Sequence, residues 1–381
     1  SLPPMTWAFA IFVVVMMGKM AGGMTPEKAD RMPAPILLHS TAFVIRVGQS
    51  AGASSRTIQG GVDLVPDRDT ARWTVEIEPG VYNERVHIQK TKGALSLKGL
   101  GPPEAVVLTH ACPGGRGNGQ PGCTPCPPFN QSAGPTPGMR ADVTTMLALS
   151  ENLIVTNLTI ANSACGFNAK AAHQSDALQA LGDKQLFSDC RILGGQDTLL
   201  TGPGNTRQYF YRSFINGSCD SIYGGSSAVF DACKISITDH ITAHRPPETG
   251  EVAYLIVNST LLKPRKGEFD HPAAKGRTEL GRPWGDHAHV IYKNVWMDSH
   301  ISSYGWGDWS HACAAGPASG VGCSSDPQCW CQNVTFAEFN SSGPGGNPAH
   351  RVKWSVQLTA EEASQVTPAS VLHGWVPKLP E

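Results

Sequence analysis

The stretch Leu193 to Gly202, LGGQDTLLTG, sets one charge, Asp197, between a glycine pair and an apolar run. Asp220 follows 23 residues later in NGSCDSIYGG, Asn216 to Gly225, with matching flanks. At that offset Ile192 pairs with Ile215, Gly194 with Gly217 and Leu199 with Ile222. The match has two readings: a surface turn repeated by chance, or two carboxylates stacked on successive turns of a coil.

The wider chain favours the coil. Runs of a small or apolar residue, any residue, then Ile, Leu or Met recur at Leu158–Ile160, Cys190–Ile192, Ser213–Ile215, Cys233–Ile235, Ser259–Leu261 and Val295–Met297. They are spaced 32, 23, 20, 26 and 36 residues apart, and an Asn, Asp, Arg or Ala precedes each. Alternation marks each run as a strand with one face buried. Short strands that return every twenty-odd residues with variable loops suit a solenoid. A β-sandwich also has short strands, but with hairpin spacing nearer 8–12 residues. The expected fold is all-β, a parallel β-helix, with Cys190, Ser213 and Cys233 stacked inward as a ladder of small residues. Thr74–Ile77 and Glu84–Ile88, split by Pro79-Gly80, read as its first coils. Thr359-Ala-Glu-Glu362 is a capping box that predicts a short helix to about Gln365.

Composition narrows the function. The chain has 381 residues, 40% hydrophobic and 16% charged, so it can bury a large core. Its net charge of -1 and lack of a basic run argue against nucleic acid. Trp7–Met17 is an 11-residue apolar run, too short to span a bilayer. With the small residues Ala21–Gly23 it reads as a secretory signal without a positive n-region, or as a buried or tail segment. The expected organisation is a signal over 1–23, a linker over 24–40 and one domain over 41–381, secreted and without membrane spans. Cysteine-rich excursions are expected at 101–143 and 309–350.

Eleven cysteines and six N-x-S/T sequons, at Asn130, Asn157, Asn216, Asn258, Asn333 and Asn340, suit that route. Cys112, Cys123 and Cys126 crowd one excursion; Cys313, Cys323, Cys329 and Cys331 crowd the other. Disulfides within each excursion fit better than zinc, because no second C-x-x-C lies at finger spacing. Gly117–Gly122 matches G-x-G-x-x-G but lies between cysteines with no flanking strand or helix.

With a 23-residue coil, Gln174, Asp197 and Asp220 fall in one line, and Gln196 sits beside Asp197. Carboxylates on adjacent rungs about 4.8 Å apart cannot both ionise cheaply. One stays anionic to attack, and its neighbour keeps a proton to give. The Gln side chains supply N–H donors for an oxyanion. Arg282, in Leu280-Gly-Arg-Pro-Trp284, is the candidate partner of the anionic Asp. Trp284 and Trp306 are candidate platforms for a sugar ring, and Trp309 is either a third platform or a core residue.

These residues resemble the pectin methylesterases, the pectinesterases of carbohydrate esterase family 8. Arg56-Thr-Ile-Gln59 resembles an early turn of that family, and Gly80-Val-Tyr-Asn-Glu-Arg-Val86 its G-x-Y-x-E-x-V coil. Gln174-Ser-Asp-Ala-Leu178 resembles Q-A-V-A-L, Gly195-Gln-Asp-Thr-Leu199 resembles Q-D-T-L, and Asp220-Ser-Ile-Tyr-Gly224 resembles D-F-I-F-G. Leu280–Trp284 matches L-G-R-P-W, and Arg351–Trp354 and Leu358–Glu362 are similar to the family's C-terminal part.

The resemblance implies a right-handed parallel β-helix. It assigns Asp220 as nucleophile, Asp197 as acid and then base, Gln174 and Gln196 as oxyanion hole, and Arg282 as the holder of Asp220. Trp284 and Trp306 line the sugar cleft, with Tyr223 on its floor. It implies no metal or cofactor, methyl-esterified homogalacturonan as substrate and a monomer, and it leaves room for a proteinaceous inhibitor.

Departures from the family pattern are Ser221 and Tyr223 in place of two Phe, Ser175-Asp176 in place of Ala-Val, and His244 where Gln is usual. His244 reads as a solvated turn histidine or a cleft residue. Other β-helix enzymes on the same polymer, an esterase or thioesterase on another ester, and a non-catalytic pectin-binding β-helix are the rival functions.

Overall fold

The computed structural model describes residues 43–111, 143–164, 174–247, 252–265, 278–285, 287–309 and 333–380. The signal segment, the linker, the cysteines of both excursions, the Gly117–Gly122 motif and Asn130 lie outside the described residues.

The described strands pair in parallel and form three sheets. An eleven-stranded sheet runs from Phe43–Val47 to Val356–Gln357, an eight-stranded sheet from Gly80–Asn83 to Trp296–Met297, and a seven-stranded sheet from Val86–Ile88 to Glu279–Pro283. The chain visits them in turn. Gln185–Ser188 lies in the first, Arg191–Leu193 in the second and Leu199–Thr201 in the third; Arg207–Tyr211 then returns beside Gln185–Ser188. This is a right-handed parallel β-helix.

The residue before each recurring run is the corner of a coil. Asn157, Asp189, Arg212, Ala232, Asn258 and Asn294 have φ between 45° and 55°. Asn and Asp tolerate this left-handed region best; Arg212 and Ala232 occupy it at a cost that the neighbouring coils impose. The next residue turns inward, and the small-residue ladder forms as expected. The Cys190 N–H donates to Ser213 Oγ at 3.2 Å, and the Cys233 N–H to Ser259 Oγ at 2.9 Å.

Inside, Phe187, Phe210 and Phe230 stack with centroids 5.1 and 4.8 Å apart. Ile160, Ile192, Ile215, Ile235, Leu261 and Met297 run beside them, all buried. At the N-terminal end, helix Ile58–Asp63 buries Ile58 and Val62, with Thr57 as its N-cap. The outer face of the eleven-stranded sheet is also apolar at Leu186, Tyr209, Val229, Leu255 and Ile291, and Val371 and Leu372 cover it. The expected capping box is present: Thr359 and Glu362 open helix Ala360–Gln365. Lys293 Nζ donates to the carbonyls of Ala363 and Val366 at 2.7 and 2.8 Å, which fixes that helix to the coil.

Two expectations change. Val106–His110 and Thr335–Phe339 are strands of the coil, so the excursions are shorter than 101–143 and 309–350. The Asn216 side chain is buried and donates to the Ser236 carbonyl at 2.7 Å, so this sequon is spent on the core. Among the described residues no helix is long and apolar enough to cross a membrane.

Phe210 has an aromatic neighbour on each side, and its truncation leaves a cavity that the rigid backbone ladders cannot close. Phe210→Ala is expected to cost about 3–5 kcal/mol in urea unfolding. A loss below about 1 kcal/mol would show that the stack relaxes freely.

Candidate active site

The site is built on the outer face of the seven-stranded sheet. Leu178, Leu199, Ile222, Thr242 and Gly281 share the inward register. Their neighbours Gln179, Leu200, Tyr223, Ala243 and Arg282 share the outward one. Asp197 and Asp220 sit just before their strands, at φ 61° and 48°, where the chain swings out of the eight-stranded sheet. The Asp197 N–H donates to the Cys219 carbonyl at 2.9 Å and the Leu199 N–H to Ser221 O at 2.8 Å, so the two aspartates occupy adjacent rungs. The glycines of the opening motif follow from this stacking. A Cβ on Gly194 would stand 2.6 Å from Ser175 O, and one on Gly217 would collide with Thr198 Oγ1 and Ser221 Oγ.

A cleft of about 330 Å³ gathers Gln174, Gln196, Asp197, Asp220, Tyr223, Arg282 and Trp284, seven of the eight site residues read from the sequence. The eighth, Trp306, is not there. Its backbone bridges Gly281, an inward position, so its indole is fully buried and stacks on Phe336 at 4.4 Å. Trp309 takes the rim instead: it lines the cleft, with the Arg282 guanidinium 4.1 Å from its ring centre. Trp284 packs against Tyr223 at 5.9 Å and beneath Arg245 at 5.1 Å.

The line 174–197–220 also needs correction. Gln174 bridges Gln196 and Leu178 pairs with Leu199, so this coil advances by 22 and then 21 residues, not 23. Asp176 therefore stands across from Asp197, while Gln174 still hydrogen-bonds the Asp197 carboxyl. Asp176 lines the cleft and is fully buried. Its Oδ2 accepts from Tyr223 Oη and from Gln179 Nε2, both at 2.7 Å.

His244 is neither solvated nor in the cleft. Its ring is fully buried against Tyr254 at 4.1 Å. Nδ1 accepts from the His289 N–H at 3.0 Å, and Nε2 faces Ser226 O at 3.3 Å. Burial pushes its pKa down to about 3, so it stays neutral and structural.

The two aspartates differ in what holds them. Arg282 closes on Asp220 with both prongs, Nε to Oδ1 at 2.8 Å and Nη2 to Oδ2 at 2.5 Å. Asp197 has no such fork. Burial first, then the charges of Asp176 and Asp220, raise its pKa well above the ordinary aspartate value. The Gln174 hydrogen bond and the more distant Arg282 oppose this only in part.

Behind Arg282 lies a cluster that the sequence did not announce. Arg282 Nη2 is 3.7 Å from Cys219 Sγ, which is 3.6 Å from His240 Nδ1. The imidazole sits between Asp239 at 3.1 Å and Glu279 at 3.0 Å. Burial opposes its charge, but hydrogen bonds with Asp239, Cys219 and Glu279 outweigh that and raise its pKa to about 11. Cys219, Asp239 and His240 bring donor atoms within 4.8 Å of one another, and those atoms are engaged among themselves and with Glu279. The available signals were Asp239-His240 at the head of a strand and Glu279 just ahead of the L-G-R-P-W motif.

Fold and cleft define a β-helical ester hydrolase. The chain belongs to the pectinesterase family, whose sequence model, described as Pectinesterase, matches residues 136–375. It is 29% identical over 336 residues to Pectinesterase QRT1 of Arabidopsis thaliana, covering 87% of this chain and 77% of that protein. Pectin methylesterase PemA from Erwinia chrysanthemi has a similar fold, with TM-score 0.68 at 24% identity over 90% of this chain and all of that one. Pectin methylesterase from carrot does too, with TM-score 0.67 at 23% identity over 87% of this chain and 93% of that one.

The raised Asp197 pKa has a sign. The folded chain keeps a proton there that the unfolded chain releases near the ordinary value of 3.8. Stability from this group is therefore full below that value and falls as pH rises towards the raised one. Asp197→Asn removes the dependence, so at pH 7 the variant should melt higher than wild type by roughly 2–4 °C. Near pH 3 the two should coincide. A calorimetric midpoint at pH 7 equal to or below that of wild type would contradict the assignment.

Proposed function

We propose that the protein hydrolyses the C6 methyl esters of homogalacturonan, giving free carboxylates and methanol, through an aspartyl nucleophile. Family membership and the names of its relatives support the substrate. One observation carries the mechanism: Asp197 and Asp220 stand on adjacent rungs, and the Arg282 fork grips only Asp220.

A carboxylate oxygen of Asp220, aimed by Arg282, attacks the ester carbonyl carbon, and the carbonyl π pair moves onto its oxygen. The Gln174 and Gln196 amides line the same cleft and offer N–H donors to that oxyanion. Collapse expels the methoxy group, which takes the Asp197 proton and leaves as methanol. Asp220 is then acylated as a mixed anhydride and Asp197 is a carboxylate. A water molecule gives a proton to Asp197 and attacks the acyl carbon, which frees Asp220 and the product acid. One water enters, one methanol and one acid leave, and both aspartates return to their starting states.

Trp284 and Trp309 offer flat faces for the C–H side of a pyranose ring. The same reading places the enzyme outside the cell, where its polymer lies, and the Trp7–Met17 run supports export.

Methanol released from methyl-esterified pectin tests the proposal. Asp220→Asn should lower the yield about a thousandfold or more with the circular dichroism unchanged. Equal yield from variant and wild type would remove Asp220 from the chemistry. Activity on a simple aryl ester without methanol from pectin would move the enzyme to another substrate.

A further inference from the structure

The mechanism uses two carboxylates, but the cleft holds three. Asp176, Asp197 and Asp220 lie on three successive rungs, with Asp197 in the middle. We propose that Asp176 is a positioning residue that keeps the proton on Asp197, so that the acid remains charged with its proton at pH values where an aspartic acid flanked on one side alone would have lost it. The inference rests on the mechanism above and adds a residue to it.

Three features carry it. Asp176 is fully buried, so its field on Asp197 acts through protein rather than water. Its Oδ2 accepts two hydrogen bonds, from Tyr223 Oη and Gln179 Nε2, each at 2.7 Å. Two donors on one oxygen favour the charged form of that carboxyl, and its charge opposes ionisation of Asp197. The register is the third: the step of 21–22 residues between these coils is what brings Asp176, rather than Gln174, opposite Asp197.

The ionisable groups facing Asp197 are Asp176 from the preceding coil, Asp220 from the following one, Tyr223 on the floor and Arg282 beyond Asp220. Arg282 favours loss of the proton, but its two prongs are committed to Asp220. Tyr223 is half-buried beside Asp176 and Asp197; loss of hydration first, then the charges of those carboxylates, push its pKa well above the ordinary value, so it stays a neutral donor. On this balance Asp176 and Asp220 both oppose ionisation of Asp197, from opposite sides.

The test is the pH profile of kcat for methanol release from pectin. In Asp176→Asn the amide oxygen can still accept from Tyr223, while the charge is gone. The alkaline limb should move down by about one pH unit or more, whatever happens to the maximal rate. A limb that stays in place or moves up overturns the proposal. If Asp176→Asn does not fold, the double variant Asp176→Val, Tyr223→Phe replaces the polar pair by an apolar one and carries the same expectation.

A second readout does not need activity. The protonated-carboxyl band of Asp197, isolated in the infrared against Asp197→Asn, should disappear at lower pH in Asp176→Asn than in wild type. Absence of methanol from wild type at every pH would strike the proposed function, whereas an unshifted infrared titration would strike Asp176 alone.

Discussion

Each coil of this protein must bring its backbone back into hydrogen-bonding register with the coil before it. Everything else in the structure is set by that requirement. The corners are fixed first, at residues with left-handed backbone such as Asn157, Asp189 and Asn258. The inward side chains then fall into columns, among them the Phe187–Phe210–Phe230 stack and the Cys190–Ser213–Cys233–Ser259 ladder. Loop length is free only where the chain leaves one sheet and has not yet joined the next. The aspartates sit at a corner where the ladder continues, with the Asp197 N–H bonded to the Cys219 carbonyl, and their spacing is therefore a property of the ladder rather than of a flexible loop.

Stacking two nearly identical motifs creates two nearly identical acids, and chemistry needs them to differ. Unit charges one rung apart interact by about 3–4 kcal/mol at an effective dielectric of 20. That is several times thermal energy, so the pair sheds one charge wherever nothing else intervenes. The choice of which is made two strands away, by Arg282 on the outward register. Its planar fork matches a carboxylate with both prongs, which a lysine ammonium could not do. The asymmetry of the site thus comes from an arginine placed by the same ladder that imposed the symmetry.

Much of this was legible in the sequence, for reasons that also explain the failures. Short strands with a fixed corner and a small or apolar inward residue leave a pattern, and that pattern located six strands of the eight-stranded sheet; Gly80–Asn83 and Val106–His110 do not carry it and were read as a turn and an excursion. The offset between Asp197 and Asp220 was legible because both coils carry the same glycines, which close packing demands. The preceding coil has no such marker. Its step is shorter, and assuming 23 residues put Gln174 where Asp176 stands. Trp306 was misread because Gly305-Trp306-Gly307 looks like an exposed aromatic turn, whereas pairing with Gly281 makes its direction inward. His244 was misread for the same reason: the end of a strand looks like a turn until the coils around it, with Tyr254 and His289, are in place.

The cluster behind Arg282 shows why such a site is worth its desolvation. Arg282, His240, Asp220, Asp239 and Glu279 are five ionisable groups brought largely out of bulk water at and behind one wall of the cleft. Buried ion pairs seldom add net stability, because loss of hydration offsets most of the attraction. What they add is direction. His240, charged up to about pH 11, keeps Asp239 and Glu279 turned towards itself. Those carboxylates thus have a partner other than the Arg282 guanidinium. With its neighbouring acids occupied, the fork has one carboxylate left to grip, and that carboxylate is Asp220. A neutral side chain at 240 would free Asp239, whose charge already acts on Arg282, to compete for the same arginine, and the distinction between the two aspartates would weaken without any change at either of them.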